Sequence, residues 1–391
     1  MRRATILNLL AGLLGWVTVA AAGEILAREG QGRLEQVDGH LVLHLAGTPA
    51  EMGRQHGVLL RPHVRAVVDR LLYGVGFAKT MTTGQPFLRD IQDAWRRLQP
   101  HIPPDHIAEL DALADGAQIS RTEARLGNVF PELFHCSGFV LFGNATKDGA
   151  LYHGRVLDYM VGVGLDKHAV VIVSRPAGAY AWVNISYAGF TGSVTAMNEH
   201  HLAIGEMGGR GEGDWDGLPM AQLVRRVMEK AATLAEAVAI MRDTPRTCEY
   251  YYVISDGKSG QAVGIYATPT AFETVAPGAG HPKLPTPVAD TVLFSAGSRY
   301  EELVRRVQAG YGQFDAAAAV ELMKRPVAMQ SNLHSVLFAP ATLDLWVANA
   351  RGANPACDQP YTRYNLADLL GRTVSRLANP QRDDYSAGRE R

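Results

Sequence analysis

CSGFVLFGNATKDGALYHGRVLD, Cys136 to Asp158, decides how the chain is read. Two runs rich in β-branched and aromatic residues flank Lys147-Asp148-Gly149, so the stretch predicts strand, tight turn, strand. Antiparallel pairing brings the end of the second strand back beside the start of the first, which places Arg155 and Asp158 next to Cys136. A guanidinium near a thiol favours thiolate and can orient a carbonyl, and a carboxylate can hold an ammonium or an amide N–H. The spacing also fits an ordinary small buried cysteine beside a common Arg/Asp ion pair, so both readings stand at this point.

Short strand-like runs continue after this hairpin, in HAVVIVSRP, AYAWVNISYAG and VTAMNEHHLAIGE, with Met197–His201 as a hairpin turn. Further strands are expected at Tyr250–Ser255, Ala262–Ala267 and within Leu333–Asn349. Helices are expected at Met220–Met241, Arg299–Ala309 and Ala316–Met323. Before Cys136 the pattern is mostly helical. One strand is expected over Leu34–Ala46; then Thr48, Pro49 and Glu51 make a capping box ahead of an apolar stripe running to Leu72, with more helix at Phe87–Leu98 and Pro104–Ala117. Blocks of strands and helices in this order predict an α+β protein with face-to-face sheets and outer helices, in one large domain rather than a doubly wound sheet.

The chain has 391 residues, 47% hydrophobic and 20% charged, the proportions of a globular protein with a large core. A formal charge of −1 and the lack of a basic aromatic face argue against nucleic acid as a partner. At the start, MRRATILNLLAGLLGWVTVAAAG has paired arginines, an apolar run and small residues, the layout of a secretory signal peptide over residues 1–22. Export to the periplasm or medium follows, with an uncleaved anchor as the alternative. No stable membrane partner is otherwise expected. Residues 379–391 read as a polar, disordered tail.

Three cysteines, Cys136, Cys248 and Cys357, allow one bridge and one odd thiol. If Cys248 and Cys357 pair, Cys136 is left over, and catalysis is one reason to keep it. The histidines suggest no zinc site, since His200 and His201 are adjacent and His153 has no third ligand near it in sequence. A Cys136/His334 pair of papain type lacks that class's cysteine-loop signature. The glycines of Gly205–Gly217 read as a flexible loop bordering a pocket.

Five separated blocks resemble the penicillin acyltransferase-like family of cysteine peptidases and acyltransferases, relatives of bile-salt hydrolases and acid ceramidases: Gly47–Leu60, Cys136–Tyr159, Phe190–Glu206, Ser295–Leu303 and Ser331–Ala350. The resemblance implies an N-terminal nucleophile hydrolase, a four-layer αββα sandwich cut between His135 and Cys136. Residues 23–135 then become a small chain that stays as the partner of a nucleophile-bearing core, 136–378. The new α-amine, with an ordinary pKa of about 8, takes the thiol proton, so no metal or cofactor is needed.

By the same resemblance Arg155, Asp158 and Arg299 carry catalytic roles. Asn198 matches a family asparagine in a turn, where turn chemistry alone also wants asparagine. Tyr251 stands nearest to the place of a family asparagine that helps hold the oxyanion. The implied activity is hydrolysis or transfer of the acyl group of a small N-acylated compound through a thioester on Cys136. A processed but inactive small-molecule-binding protein of the same fold is the alternative, and an exported structural protein with an inert thiol is a third reading.

Overall fold

In the computed structural model the described residues are 18–19, 23–84, 86–129, 135–159, 161–209 and 213–371. The expected leader, apart from Thr18–Val19, and the expected tail lie outside them. Seventeen strands are described: β1 (Thr18–Val19), β2 (Glu24–Glu29), β3 (Gly32–Val37), β4 (His40–Gly47), β5 (His135–Gly143), β6 (Gly149–Asp158), β7 (Ala169–Pro176), β8 (Trp182–Tyr187), β9 (Thr195–Asn198), β10 (Leu202–Gly208), β11 (Tyr250–Asp256), β12 (Gln261–Ala267), β13 (Phe272–Val275), β14 (Thr291–Phe294), β15 (Asn332–Ala339), β16 (Asp344–Asn349) and β17 (Thr362–Asn365). They form a seven-stranded sheet, β1-β17-β16-β15-β6-β5-β14, and a ten-stranded sheet, β13-β12-β11-β10-β9-β8-β7-β4-β3-β2.

The sheets lie face to face, with β5 against β10 and β11, and β6 against β10. Helices Pro49–Leu59, Met220–Lys230 and Leu234–Asp243 pack on the larger sheet, and Ser298–Ala309 and Ala316–Leu322 on the smaller. This is the expected four-layer αββα sandwich, class α+β. Strands β2 to β4 precede Cys136 in sequence, yet β4 pairs in parallel with β7, so the region before the cysteine is built into the same sheet.

Local chemistry explains where the elements break. The single strand expected over Leu34–Ala46 is a hairpin, because Asp38 and Gly39 take φ of 47° and 82°, the signature of a type I′ turn. The helix expected over Met220–Met241 is two, since Thr233 and Glu236 form a capping box that starts the second. The box expected at Thr48 is present, with Thr48 N donating to Glu51 Oε2 at 2.7 Å. Gly205 belongs to β10 rather than to a loop, and its bare α-carbon has a reason: a Cβ there would lie 2.5 Å from Arg155 Cγ.

Helices Pro49–Leu59 and Pro104–Ala117 touch backbone to backbone, and a Cβ on Gly57 would lie 2.2 Å from Leu113 O. Neither backbone can yield without moving a helix. Gly57→Ala is therefore expected to destabilise the protein by about 1–3 kcal/mol in denaturant titration, despite alanine's better helix propensity; an unchanged midpoint would contradict this packing.

Candidate functional site

The register of β5 on β6 sets the site. His135 lies opposite Asp158, Cys136 opposite Leu157, Ser137 opposite Val156 and Gly138 opposite Arg155. Paired residues share a face, so Cys136, Leu157 and Arg155 look into the gap between the sheets while Ser137 and Asp158 look towards the outer helices. The hairpin thus brings Arg155 and Asp158 to Cys136 as the spacing predicts, but on opposite faces of the strand pair.

On the outer face Arg299 Nη1 donates to Asp158 Oδ2 at 2.7 Å and to Ser137 Oγ at 3.3 Å, and Met329 N donates to Asp158 Oδ1 at 3.0 Å. Ser137 Oγ lies 2.7 Å from Ser295 Oγ. Burial raises the Asp158 pKa, and the Met329 amide and the two guanidiniums pull against it. Asp158 is the register partner of His135, the residue before Cys136.

On the inner face Arg155 is fully buried, with Nη2 3.6 Å from Glu206 Oε2 of β10. Among the described residues none of its three nitrogens has a hydrogen-bond partner within ordinary range, so beyond the ion pair with Glu206 the buried guanidinium has donors to spare. Glu206 was not anticipated. Its signal is a lone carboxylate inside the apolar run LAIGEMG, which a strand can bury only opposite a cation. His153, also on this face, has Nδ1 2.8 Å from Ser255 Oγ.

Cys136 is buried, and burial pushes its thiol up to about 12; Arg155 opposes this, while Glu206 and Asp158 add to it. The thiol of the continuous chain is therefore protonated at neutral pH. His334 lies in the same cross-strand row, opposite Leu157, with both ring nitrogens committed elsewhere. Leu157 also lines an apolar pocket, walled by Val64, Val67 and Leu113 from before the cysteine and by Tyr187 and Leu333 from after it.

Two sequence-predicted residues have other duties. Asn198 Nδ2 donates to Met228 O and Ala231 O, and its Oδ1 accepts from His200 N and Leu202 N, so it fastens the β9–β10 turn and has no donor left for an oxyanion. Tyr251 donates its hydroxyl proton to Glu249 Oε1 at 2.7 Å, and Lys283 Nζ holds the same carboxylate oxygen at 2.6 Å. A phenol has one proton to give, and here it points to Glu249. Cys248 and Cys357 are thiols, and no disulfide joins them.

Residues 145–275 match the family model described as acyl-coenzyme A:6-aminopenicillanic acid acyl-transferase. The segment holds Arg155, Asp158, Asn198, Glu206 and Tyr251, and begins after Cys136. An N-acylethanolamine-hydrolyzing acid amidase of Oryctolagus cuniculus is 26% identical over 180 residues, 43% of this chain and 49% of that protein. The protein dcd1A of Dictyostelium discoideum is 23% identical over 325 residues, 71% of this chain and 72% of its own length. An uncharacterized protein of Archaeoglobus fulgidus is matched over 43% of its length, so the chain spans about half the length of most curated relatives cited here. Among solved structures, a Caenorhabditis elegans N-acylethanolamine-hydrolyzing acid amidase ortholog aligns with a TM-score of 0.42 at 16% identity, covering 59% of this chain and 99% of that one.

The thiol's ordinary value is 9.0, so its folded value lies above its unfolded one. Its contribution to stability is then complete below about pH 9 and is lost as pH rises towards 12. At pH 8 the continuous folded chain is expected to alkylate at Cys136 with iodoacetamide roughly a thousandfold more slowly than the same chain in denaturant, as read by peptide mass spectrometry. Equal rates would contradict the buried thiol.

Proposed function

We propose, from this chain's kinship with the acyl-coenzyme A:6-aminopenicillanic acid acyl-transferase family, that it is an exported cysteine amidohydrolase or acyltransferase that cuts itself between His135 and Cys136. The observation that carries the reading is the β5–β6 register, which sets Asp158 across from the bond to be cut and Arg155 on the thiol's face. Export rests on the leader-like sequence of residues 1–22.

Cleavage frees the α-amine of Cys136 beside Asp158 and Arg299. The amine accepts the thiol proton, and the thiolate adds to the carbonyl carbon of an N-acyl substrate. Collapse of the tetrahedral adduct expels the amine, which takes the proton back from the α-ammonium, and leaves a thioester. Water, or a second amine, then attacks the thioester and releases Cys136. Asp158 holds the ammonium, and Arg155, with donors to spare, orients the substrate's polar atoms. The cavity at Leu157 takes an apolar acyl group, which favours lipid amides and aryl-acyl amides among small N-acylated compounds.

A second reading is a processed protein that binds such a compound without turning it over. The commitments of Tyr251 and Asn198 to Glu249 and to backbone favour it, because removing one oxyanion donor costs a factor of about 10² to 10³.

Mass spectrometry of the purified mature protein separates the readings. The wild type is expected as two chains, the larger beginning at Cys136, and Cys136→Ala as one. Incubation with N-acyl amides is expected to add one acyl mass to Cys136. A single active wild-type chain would remove the self-cleavage claim, and two chains without any acyl adduct would favour the binding protein.

A further inference from the structure

Three residues form a row across neighbouring strands on the inner face: Cys136 of β5, Leu157 of β6 and His334 of β15, with Leu157 the register partner of both others. Over the far end of that row stands Tyr187, at the end of β8. Its ring stacks on the His334 imidazole with centroids 6.0 Å apart and planes 13° from parallel. Tyr187 and Leu157 both line the apolar cavity. Between the nucleophile's neighbour and the proposed acyl site there is thus a phenol.

The phenol is held by a buried relay. Tyr187 Oη lies 3.2 Å from His334 Nδ1, and His334 Nε2 lies 2.9 Å from Thr195 Oγ1. His334 and Thr195 are fully buried. Thr195 is itself fixed, since its amide donates to Ser193 Oγ at 3.2 Å and Ser193 Oγ donates to Asn184 Oδ1 at 2.8 Å. Burial, reinforced by Arg155, holds His334 far below its ordinary pKa and therefore neutral. A neutral imidazole carries one N–H. That proton is assigned to Nδ1: Thr195 then donates to Nε2, Nδ1–H is given to Tyr187 Oη, and the phenol's own proton is left free of the relay. Burial also raises the Tyr187 pKa well above its ordinary value, so the phenol keeps that proton at working pH.

We infer that the Tyr187 hydroxyl, oriented by His334 and Thr195, is the hydrogen-bond donor to the oxyanion formed when Cys136 attacks the acyl carbonyl. The inference rests on the thioester reading above. As the Cys136 sulfur adds to the carbonyl carbon, the C=O π pair moves to oxygen and the phenol donates to that oxygen without transferring its proton. Collapse returns the pair and expels the amine. Tyr187 is then a catalytic residue, and His334 and Thr195 are positioning residues. This supplies from β8 the donor that Tyr251 and Asn198 do not provide.

The test is steady-state kinetics of the full processed protein on an N-acyl amide, with acylation of Cys136 followed by mass. Tyr187→Phe is expected to lower kcat about 10² to 10³-fold with KM within about threefold, because the lost contact exists only in the transition state. Thr195→Val is expected to lower kcat in the same direction by a smaller factor, and Thr195→Ser to restore it; this pair carries the test if Tyr187→Phe does not fold. Turnover of Tyr187→Phe within about threefold of wild type overturns the inference and leaves the thioester reading standing. So does a raised KM with unchanged kcat, which makes Tyr187 a wall of the acyl cavity only. A wild type that forms no thioester on Cys136 removes the reading beneath it, and the inference with it.

Discussion

A guanidinium with no access to water stands at the centre of this protein, and much of the arrangement around Cys136 follows from it. Arg155 carries its charge into the gap between two sheets, where desolvation is costly unless an opposite charge lies close. Glu206 supplies that charge from the facing sheet, and Gly205 beside it leaves the space that the arginine stem occupies. The pair therefore fixes which strands face each other. It also sets the protonation of its neighbours: burial and the same cation keep His153 and His334 neutral, so these imidazoles act only as hydrogen-bonding groups.

The strand pair divides the remaining chemistry by parity. Residues of one parity share the gap with Arg155, while the other parity meets Arg299 and the outer helices. Asp158 falls on the outer side, where Arg299 and the Met329 amide hold it. On the proposed scheme this is useful separation. The carboxylate would neutralise an α-ammonium from one side while the guanidinium addresses thiol and substrate from the other.

How much of this was legible in the sequence depends on how local each cause is. The β5–β6 hairpin, the Thr48 box and the layer order follow from periodicity and turn residues a few positions apart, and they were read correctly. The Asp38-Gly39 turn was legible too, but the smooth alternation of Leu34–Ala46 masked it. Tyr251 is different. Its hydroxyl direction is decided by Glu249 and by Lys283, which arrives from a loop 34 residues beyond Glu249, and no local pattern records that meeting. Asn198 is mixed: its Oδ1 bonds to His200 N and Leu202 N follow from turn chemistry, whereas its Nδ2 bonds reach Met228 and Ala231, 30 and 33 residues on. The importance of Tyr187 was out of reach, because a strand-end tyrosine, a histidine 147 residues away and a threonine between them become a relay only once the sheets stack.

The thiol's protonation gives the proposed self-cleavage a chemical purpose. In the continuous chain burial holds the Cys136 thiol up at about 12, so at neutral pH only about one molecule in 10⁵ carries thiolate. A free α-amine with an ordinary pKa of about 8 changes the balance, since the base now belongs to the same residue and Asp158 stands beside it. The cut also must not release the small chain. Val64, Val67 and Leu113, all N-terminal to Cys136, form one wall of the cavity, and β4 stays hydrogen-bonded to β7 through the sheet. On the proposed scheme the severed segment is thus a structural part of the site it uncovers, and its apolar wall would act on the choice of acyl group alongside the residues of the larger chain.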